Sequence, residues 1–164
     1  MSIRLKKITN DLRSWIKGTV IVPGDTPYED ARRVWNAMID RQPAVIVCCA
    51  DAADVSPALA FARENGREIS VRGGGQHIAG HSVCDGSLMI DFSGMKNVQL
   101  DAAVRRAYVQ PGATLGDFDR AVQAHGLAMP VGINSTTGIA GLTLGWFRLV
   151  DPQVRHDGRQ SGLL

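Results

Sequence analysis

The segment VRGGGQHIAG, residues 71–80, places three consecutive glycines and two polar side chains directly after an apolar, strand-like run. Glycine has no Cβ atom, so a glycine-rich backbone can approach a ligand closely and point successive N–H groups at one anion. Diphosphates are commonly held in this way. The segment therefore indicates an anion-binding loop, with a tight bend between two subdomains as the structural alternative.

A second glycine-rich segment, GLAMPVGINSTTGIAGLTLG, follows at residues 126–145, and Ser135, Thr136 and Thr137 add hydroxyl donors to it. Neither segment has the composition of a flexible linker, because both are too apolar. The first lacks the G-x-G-x-x-G spacing of a dinucleotide fingerprint and the Gly-Lys-Ser/Thr of a Walker A loop. The occurrence of two such segments in one chain favours a nucleotide over a simple bend.

Composition excludes several classes of protein. A chain of 164 residues with a net charge of +2 has no strongly basic face for nucleic acid. No run reaches the roughly 18 apolar residues of a membrane span, and the N-terminal residues lack the apolar core of a secretory signal. The odd number of cysteines, Cys48, Cys49 and Cys84, indicates reduced thiols and a cytoplasmic location. We expect no metal site.

The first half of the chain alternates strands and helices. The pattern predicts helices at 11–16 (with Thr9 or Asn10 as cap) and 51–66, and a turn that continues as a helix within 24–40. It predicts strands at 19–23, 44–50 and 68–72. The second helix would bury one face, formed by Ala31, Val34, Trp35 and Met38. Such alternation predicts parallel strands with a ligand site at their carboxyl ends, where the first glycine-rich segment begins.

After residue 85 the pattern changes to short strands at 87–93, 98–101 and 106–110 with no helices between them. We expect an antiparallel sheet there, followed by a helix at 113–126 that buries Leu115, Phe118, Ala121 and Val122. The predicted class is α+β, with a parallel α/β unit followed by a mainly antiparallel β unit that carries a helix, incomplete at its C-terminal end.

Two stretches, VRGGGQHIAGHSVCDGSLMIDFSGMKNV and GLAMPVGINSTTGIAGLTLG, resemble the FAD-binding, PCMH-type domain of berberine bridge enzyme-like oxidoreductases. These enzymes belong to the vanillyl-alcohol oxidase and p-cresol methylhydroxylase superfamily of flavoproteins. The resemblance divides the chain into an N-terminal lead-in (1–37), a partial FAD-binding domain (38–145) and a tail outside the family pattern (146–164). It implies that FAD lies between two subdomains.

The resemblance also implies which residues contact FAD. Backbone N–H groups of the first segment would surround the diphosphate, and the second segment would add hydroxyl donors. The implied contacts are Gly73, Gly74, Gly75, Gln76, His77, Gly80, His81, Ser82, Gly132, Ser135, Thr136, Thr137, Gly138, Ala140 and Gly141. Catalytic residues stay unassigned, because in the family they come mostly from later parts of the chain.

Many family members bond FAD covalently through a histidine directly after the last glycine of the first segment, where this chain has Gln76. Some add a cysteine bond in the second segment, at the position of Asn134, and Cys84 lies elsewhere. We therefore expect non-covalent FAD. A one-residue shift that lets His77 form the bond is the alternative.

The tail from Trp146 onward is polar and has no apolar periodicity. Codons for Trp146–Ser161 can be chosen so that, read one nucleotide later, they give GFGWLTRKFGMTVDNL, which resembles the continuation of the family. A frameshift is our interpretation, and a diverged C-terminus is the alternative.

We expect the parent protein to be a flavin-dependent oxidoreductase, an oxidase or dehydrogenase that transfers hydride from a substrate C–H bond to FAD. Its partners would be FAD, a small-molecule substrate and oxygen, with no nucleic acid and no membrane. The alternative is a binding module without activity.

Overall fold

The computed structural model describes residues 11–146. Its helices are α1 (11–15), α2 (Tyr28–Ala31), α3 (Val55–Glu64), α4 (Leu115–Gln123) and α5 (Ile139–Trp146), with one 3-10 turn at Ala52–Asp54. Its strands are β1 (Thr19–Ile21), β2 (Val45–Cys48), β3 (Ile69–Arg72), β4 (Leu88–Asp91), β5 (Val98–Asp101) and β6 (Arg106–Val109). The expected α+β class with two successive units is confirmed. Of the tail assigned to 146–164, the residues after Trp146 lie outside the described part of the chain.

The first unit is a four-stranded sheet in the order β1-β2-β4-β3. Strands β2, β4 and β3 are mutually parallel, whereas β1 pairs antiparallel with β2, which corrects the expectation of parallel strands throughout. The assignment of the strand near 87–93 to an antiparallel sheet is also wrong, because β4 lies between the two parallel strands. All four residues of β4 are buried, as a central parallel strand requires. Residues 73–87 provide the long crossover from β3 without a helix.

Each face of this sheet packs against helices or loops. On one face, Leu12 of α1 and Phe61 of α3 cover β2 and β4 through residues such as Val47 and Ile90. On the other face, Tyr28 and Val83 cover Ile46 and Met89. The predicted helix at 51–66 is confirmed as α3, with Asp51 accepting a hydrogen bond from Ala53 N–H and Gly66 in the left-handed region that ends it.

The predicted helix at 24–40 is wrong, because α2 ends at Ala31. Val34 stays half-buried, but Trp35 and Met38 are 62% and 90% exposed and form no inward face. After α2, the chain bonds to the first glycine-rich segment instead: Trp35 N–H donates to the carbonyl of Gly75, 3.0 Å away. These contacts with a distant loop outcompete the local hydrogen bonds of a longer helix.

The second unit consists of the β5–β6 hairpin, α4 and α5. The hairpin is antiparallel as predicted, and α4 begins at a reciprocal capping box between Thr114 and Asp117. Leu115, Phe118 and Val122 are buried, while Ala121 is half-buried. The last part of the second glycine-rich segment forms helix α5 rather than a loop, because Ile139 and Leu142 lie on one helical face and join this core.

A buried carboxylate fixes the start of the first sheet. Asp54 is 1% exposed and accepts hydrogen bonds from the backbone N–H groups of Lys17 (2.7 Å), Ala50 (2.8 Å) and Gly18 (3.1 Å). Burial opposes its ionisation, but the three donors outweigh that effect and lower the pKa of Asp54 below its ordinary value. Asp54 therefore holds the backbone that enters β1 and the backbone that leaves β2.

We expect Asp54→Asn to destabilise the protein by about 2–3 kcal/mol, because hydrogen bonds to a charged acceptor are lost and the new NH₂ group faces N–H donors. Urea denaturation at neutral pH measures the loss. Because the folded-state pKa is lowered, the contribution of Asp54 is present above the unfolded-state value and disappears as the pH falls through the folded-state value. The difference between the two proteins should therefore shrink in acid. Asp30→Asn, at an exposed ion pair with Arg33, is the control, and equal losses in both variants would contradict the role of Asp54.

Candidate functional site

The two glycine-rich segments meet where β3 ends and α5 begins. We call residues 73–82 the first loop and residues 132–138 the second loop. A cavity of about 370 Å³ lies between them. Its lining consists of Val71, Gly73, Gly74, Gly75, Gln76, His77, His81, Ser82, Thr137, Gly138, Gly141 and Leu142. The cavity thus opens at the carboxyl end of a parallel strand and beside a helix N-terminus, where anions are favoured.

Two glycines, one from each loop, are in direct backbone contact. A Cβ atom on Gly74 would lie 2.4 Å from the backbone nitrogen of Gly138, and a Cβ on Gly138 would lie 2.4 Å from the backbone nitrogen of Gly74. A Cβ on Gly73 would lie 2.7 Å from the carbonyl oxygen of Pro111. The two units can meet here only because these residues have no Cβ atom. This requirement for glycine holds independently of any ligand.

The first loop bonds to the rest of the protein through its carbonyl groups. Trp35 N–H donates to Gly75 O, and the Asn36 side chain donates to Ile78 O at 2.8 Å. Among residues 11–146, no group accepts a hydrogen bond from the backbone N–H groups of residues 73–78. A run of consecutive N–H groups without acceptors forms the concave donor surface that binds anions.

An ion pair at the base of the first loop fixes where the loop starts. Arg72 donates from Nε to Asp91 Oδ1 at 3.0 Å and from Nη2 to Asp91 Oδ2 at 2.5 Å. Burial opposes the charge of Asp91, but Arg72 and the backbone and hydroxyl of Ser93 hold its pKa below the ordinary value. Arg72 also donates to the carbonyl of Arg33. Sequence reasoning missed this pair because it depends on the pairing of β3 with β4. It missed the contact of residues 33–36 with the loop because the partners are about forty residues apart and neither lies in a strand.

The cysteine next to this ion pair is not a nucleophile. Burial, together with the negative charge of Asp91, raises the pKa of Cys48 to about 11. Burial likewise raises the pKa of Cys49 to about 11. Both thiols stay protonated at neutral pH, as expected for small apolar side chains in a core.

Side chains extend the contact between the two loops. Gln76 Nε2 donates to Thr136 Oγ1 at 2.7 Å, and that hydroxyl donates to Asn134 Oδ1 at 2.8 Å. His77 Nδ1 accepts a hydrogen bond from Ala79 N–H, and the ring of His77 lies 4.6 Å from that of His81.

The hydroxyl of Ser82 stands out among the residues around the cavity. Ser82 is 8% exposed, and its Oγ is the buried side-chain atom that has no hydrogen-bond partner within the described part of the chain. Leaving a buried hydroxyl unpaired is costly, so the site contains a polar group suited to a ligand.

Some residues implied by the resemblance lie outside the cavity lining. Gly80 has a φ of +67° and packs on Ile39, and Gly132 packs on Leu115. The carbonyl of Ser135 accepts a hydrogen bond from Gly116 N–H, and Ala140 lines a different groove. Thr136 reaches the site only through Gln76.

That second groove is larger, about 660 Å³, and lies in the second unit between the hairpin, α4 and α5. Apart from Arg105 and Thr143 its side chains are apolar, for example Phe118 and Met129. Arg105 and Thr143 supply its side-chain donors, so it offers a diphosphate fewer donor groups than the cavity between the loops. The cavity between the loops is therefore the candidate site.

A parallel α/β unit joined to a second unit, with a donor-lined cavity between two glycine-rich loops, defines a nucleotide-binding domain. Residues 43–146 match the family model described as an FAD binding domain. The chain belongs to this family, in the PCMH-type form carried by berberine bridge enzyme-like oxidases.

Relatives and solved structures agree with this assignment. The chain is 35% identical over 130 residues to the FAD-linked oxidoreductase YgaK of Bacillus subtilis, covering 79% of the chain and 29% of that protein. It is 33% identical to (R)-6-hydroxynicotine oxidase of Paenarthrobacter nicotinovorans, covering 79% and 28%. The structure of Physcomitrella patens BBE-like 1 matches with a TM-score of 0.76 and 31% identity, over 84% of the chain and 29% of that structure. The chain thus spans less than a third of the length of these proteins.

Neither a membrane-spanning helix nor a metal-binding cluster occurs within the described residues. Within residues 11–146, no helix is both long and apolar enough to cross a bilayer. The same part of the chain has no group of three or more His, Cys, Asp or Glu residues arranged to hold a metal ion.

The contact between the loops predicts opposite effects for two neighbouring glycines. Gly138→Ala should destabilise the protein by at least about 1–3 kcal/mol, because its Cβ collides with the backbone of Gly74. Gly141→Ala should be neutral or stabilising, up to about 1 kcal/mol, because no atom lies within 4 Å of its Cβ position and alanine favours helix α5. Thermal and urea unfolding measure both. A Gly138→Ala protein as stable as the wild type would contradict the contact.

Proposed function

We propose that the cavity between the loops holds FAD, with the diphosphate on the backbone N–H groups of the first loop. The observation that carries this proposal is the run of N–H groups at 73–78 that has no acceptor among the described residues. The unpaired hydroxyl of Ser82 and the N-terminal end of α5 add donors at the same cavity. Donors of this kind fit a doubly charged diphosphate.

The residues Gly73–His77, Ser82, Thr137, Gly138 and Gly141 would hold the cofactor, since all of them line the cavity. Arg72, Asp91 and the segment 33–36 would fix the loop from behind without touching the ligand. Gly80, Gly132 and Ser135 would shape the loops rather than contact FAD. His77 and His81 would stand at the exposed rim of the cavity.

We infer that the parent protein is an oxidoreductase. FAD, when bound, would accept a hydride from a substrate C–H bond, while the protein would bind and orient the cofactor and the substrate. Relatives named as FAD-linked oxidoreductases and oxidases support this reaction class. We propose a small organic substrate and oxygen as the partners, and no catalytic residue is assigned within residues 11–146.

The second candidate is a binding module without turnover. It is favoured by the lining of the cavity, which supplies backbone and hydroxyl donors for binding while no lining residue has been assigned a catalytic role. Flavin absorbance in the purified protein, followed by bleaching on addition of candidate sugars, alcohols or aromatic amines without oxygen, separates the two. Flavin that is bound but bleached by no substrate supports the binding module.

We further propose that FAD is bound without a covalent link. An amide is not a nucleophile, and the amide of Gln76 donates to Thr136. Asn134 has no thiol, and its side-chain oxygen accepts from Thr136. His77 Nδ1 already accepts a hydrogen bond from Ala79 N–H.

Acid precipitation should therefore release all bound flavin into the supernatant. The precipitate should show no flavin fluorescence on a denaturing gel. Flavin that remains on the protein, and is lost in His77→Ala, would show that His77 forms the bond.

Gly141→Leu tests the cavity itself. Gly141 lines the cavity, and no atom of residues 11–146 outside the helix's own backbone lies within 4 Å of its Cβ position, so a larger side chain should enter the ligand space without disturbing the fold. We expect FAD affinity to fall at least about tenfold, which corresponds to about 1.4 kcal/mol, with no loss of thermal stability. Titration of FAD fluorescence measures the affinity.

Gly145→Leu is the matched control, since Gly145 lies on the same helix outside the cavity lining and its Cβ position also has no neighbouring atom within 4 Å in the described part of the chain. Equal FAD affinity in wild type and Gly141→Leu would reject the cavity as the cofactor site. A substitution at Gly74 would be less informative, because its Cβ meets the other loop rather than the ligand space.

A further inference from the structure

We propose that Gln76 is a positioning residue that latches the first loop to the second, and that this latch sets how slowly the cofactor leaves. This inference rests on the proposed function. Gln76 lines the cavity from the first loop, and its side-chain amide reaches Thr136 in the second.

The direction of each hydrogen bond in the latch follows from the chemistry of the groups. The amide NH₂ of Gln76 can only donate, so Thr136 Oγ1 accepts from it at 2.7 Å. The hydroxyl proton of Thr136 is then directed to Asn134 Oδ1, 2.8 Å away. Asn134 Oδ1 also accepts from Thr136 N–H at 3.1 Å, which holds the turn in place. Each of the three side chains is thus oriented by the hydrogen bond to its neighbour in this series.

The latch is a second connection between the loops. Gly74 and Gly138 join the two loops by backbone contact, and Gln76 and Thr136 join them again through side chains. In this proposal a ligand held between the loops leaves as they separate. The hydrogen bond between Gln76 and Thr136 must break in that motion, whereas the backbone contact of the glycines provides no directional bond.

The residue types at these positions suit a reversible latch. A glutamine amide and a threonine hydroxyl are both uncharged, so their bond does not depend on pH in the neutral range. Both side chains are accessible to water: Thr136 is exposed and Gln76 is half-buried. Their bond can therefore be exchanged for water as the loops open, at a cost of about 0.5–1.5 kcal/mol.

A double-mutant cycle tests the latch in the full 164-residue chain. Gln76→Met and Thr136→Val keep the size of each side chain but remove the hydrogen bond. Each should raise the FAD dissociation rate about fivefold, as expected for one net hydrogen bond. The double variant should be no faster than either single variant. Additive effects of the two substitutions would overturn the proposal, because the residues would then act independently.

Control substitutions of the same types lie far from the site. Gln123→Met at the exposed end of α4 and Thr19→Val at the exposed first residue of β1 should leave the dissociation rate unchanged. Equal acceleration in these controls would show a general loss of stability rather than a latch. Thermal unfolding without FAD should change little in all five variants.

Nuclear magnetic resonance gives a readout that does not depend on FAD. In the cofactor-free chain, Thr136→Val should shift the side-chain NH₂ signals of Gln76. It should also speed hydrogen exchange at Thr137 N–H, which donates to Asn134 O, and at Gly116 N–H, which donates to Ser135 O. Unchanged signals and exchange rates would overturn the latch. A wild-type chain that takes up no FAD would instead reject the proposed function, while these signals still decide whether the latch forms.

Discussion

The contact between Gly74 and Gly138 is the constraint on which the arrangement of the site depends. Each glycine occupies the space that a Cβ of the other would need, so the two loops meet backbone to backbone. This approach brings the end of a parallel strand next to the start of α5, although the two lie in different units. It also places residues of the first loop, whose backbone N–H groups have no acceptor among residues 11–146, along the lining of the cavity. A single close contact thus joins the two units and shapes the space between them.

Buried carboxylates hold the backbone that leads into this contact. Asp54 binds three backbone N–H groups beside the start of β1 and the end of β2, and Asp91 binds Arg72 and Ser93 at the ends of β3 and β4. In each case the acceptor is ionised and its pKa is lowered, so the interactions are stronger than neutral hydrogen bonds. The glycine-rich loop, which has little intrinsic order, starts from a residue that is fixed on both sides. The rigidity needed at the site therefore comes from the sheet beneath it.

The sequence predicted those features that local chemistry determines. The run around Val45–Cys48, the helix between Asp51 and Gly66, and the capped helix at Leu115–Gln123 carry their own signals of burial, capping and termination. The position of β4 could not be predicted, because its partners are chosen by packing on both faces. The early end of α2 depends on hydrogen bonds to a loop some forty residues away. Helix α5 was missed because glycines at 141 and 145 resemble loop residues, although Ile139 and Leu142 anchor the segment as a helix. The sequence indicated that the two glycine-rich segments act together, and they do meet around one cavity, but the partner of each glycine did not follow from their spacing.

The two kinds of contact between the loops have different physical roles. The glycine contact is steric and has no preferred hydrogen bond, so it defines how closely the loops can approach but resists separation only weakly. The chain of bonds from Gln76 through Thr136 to Asn134 is directional and adds that resistance. Under the proposed non-covalent binding, the ligand is kept by such contacts alone, and loop opening would set its release. Gln76 stands where the resemblance to the family implies a bond-forming histidine, and its amide is the group that donates to Thr136. In this proposal one side chain therefore accounts for both the non-covalent binding and the latch, and both act on the same quantity, the lifetime of the bound cofactor.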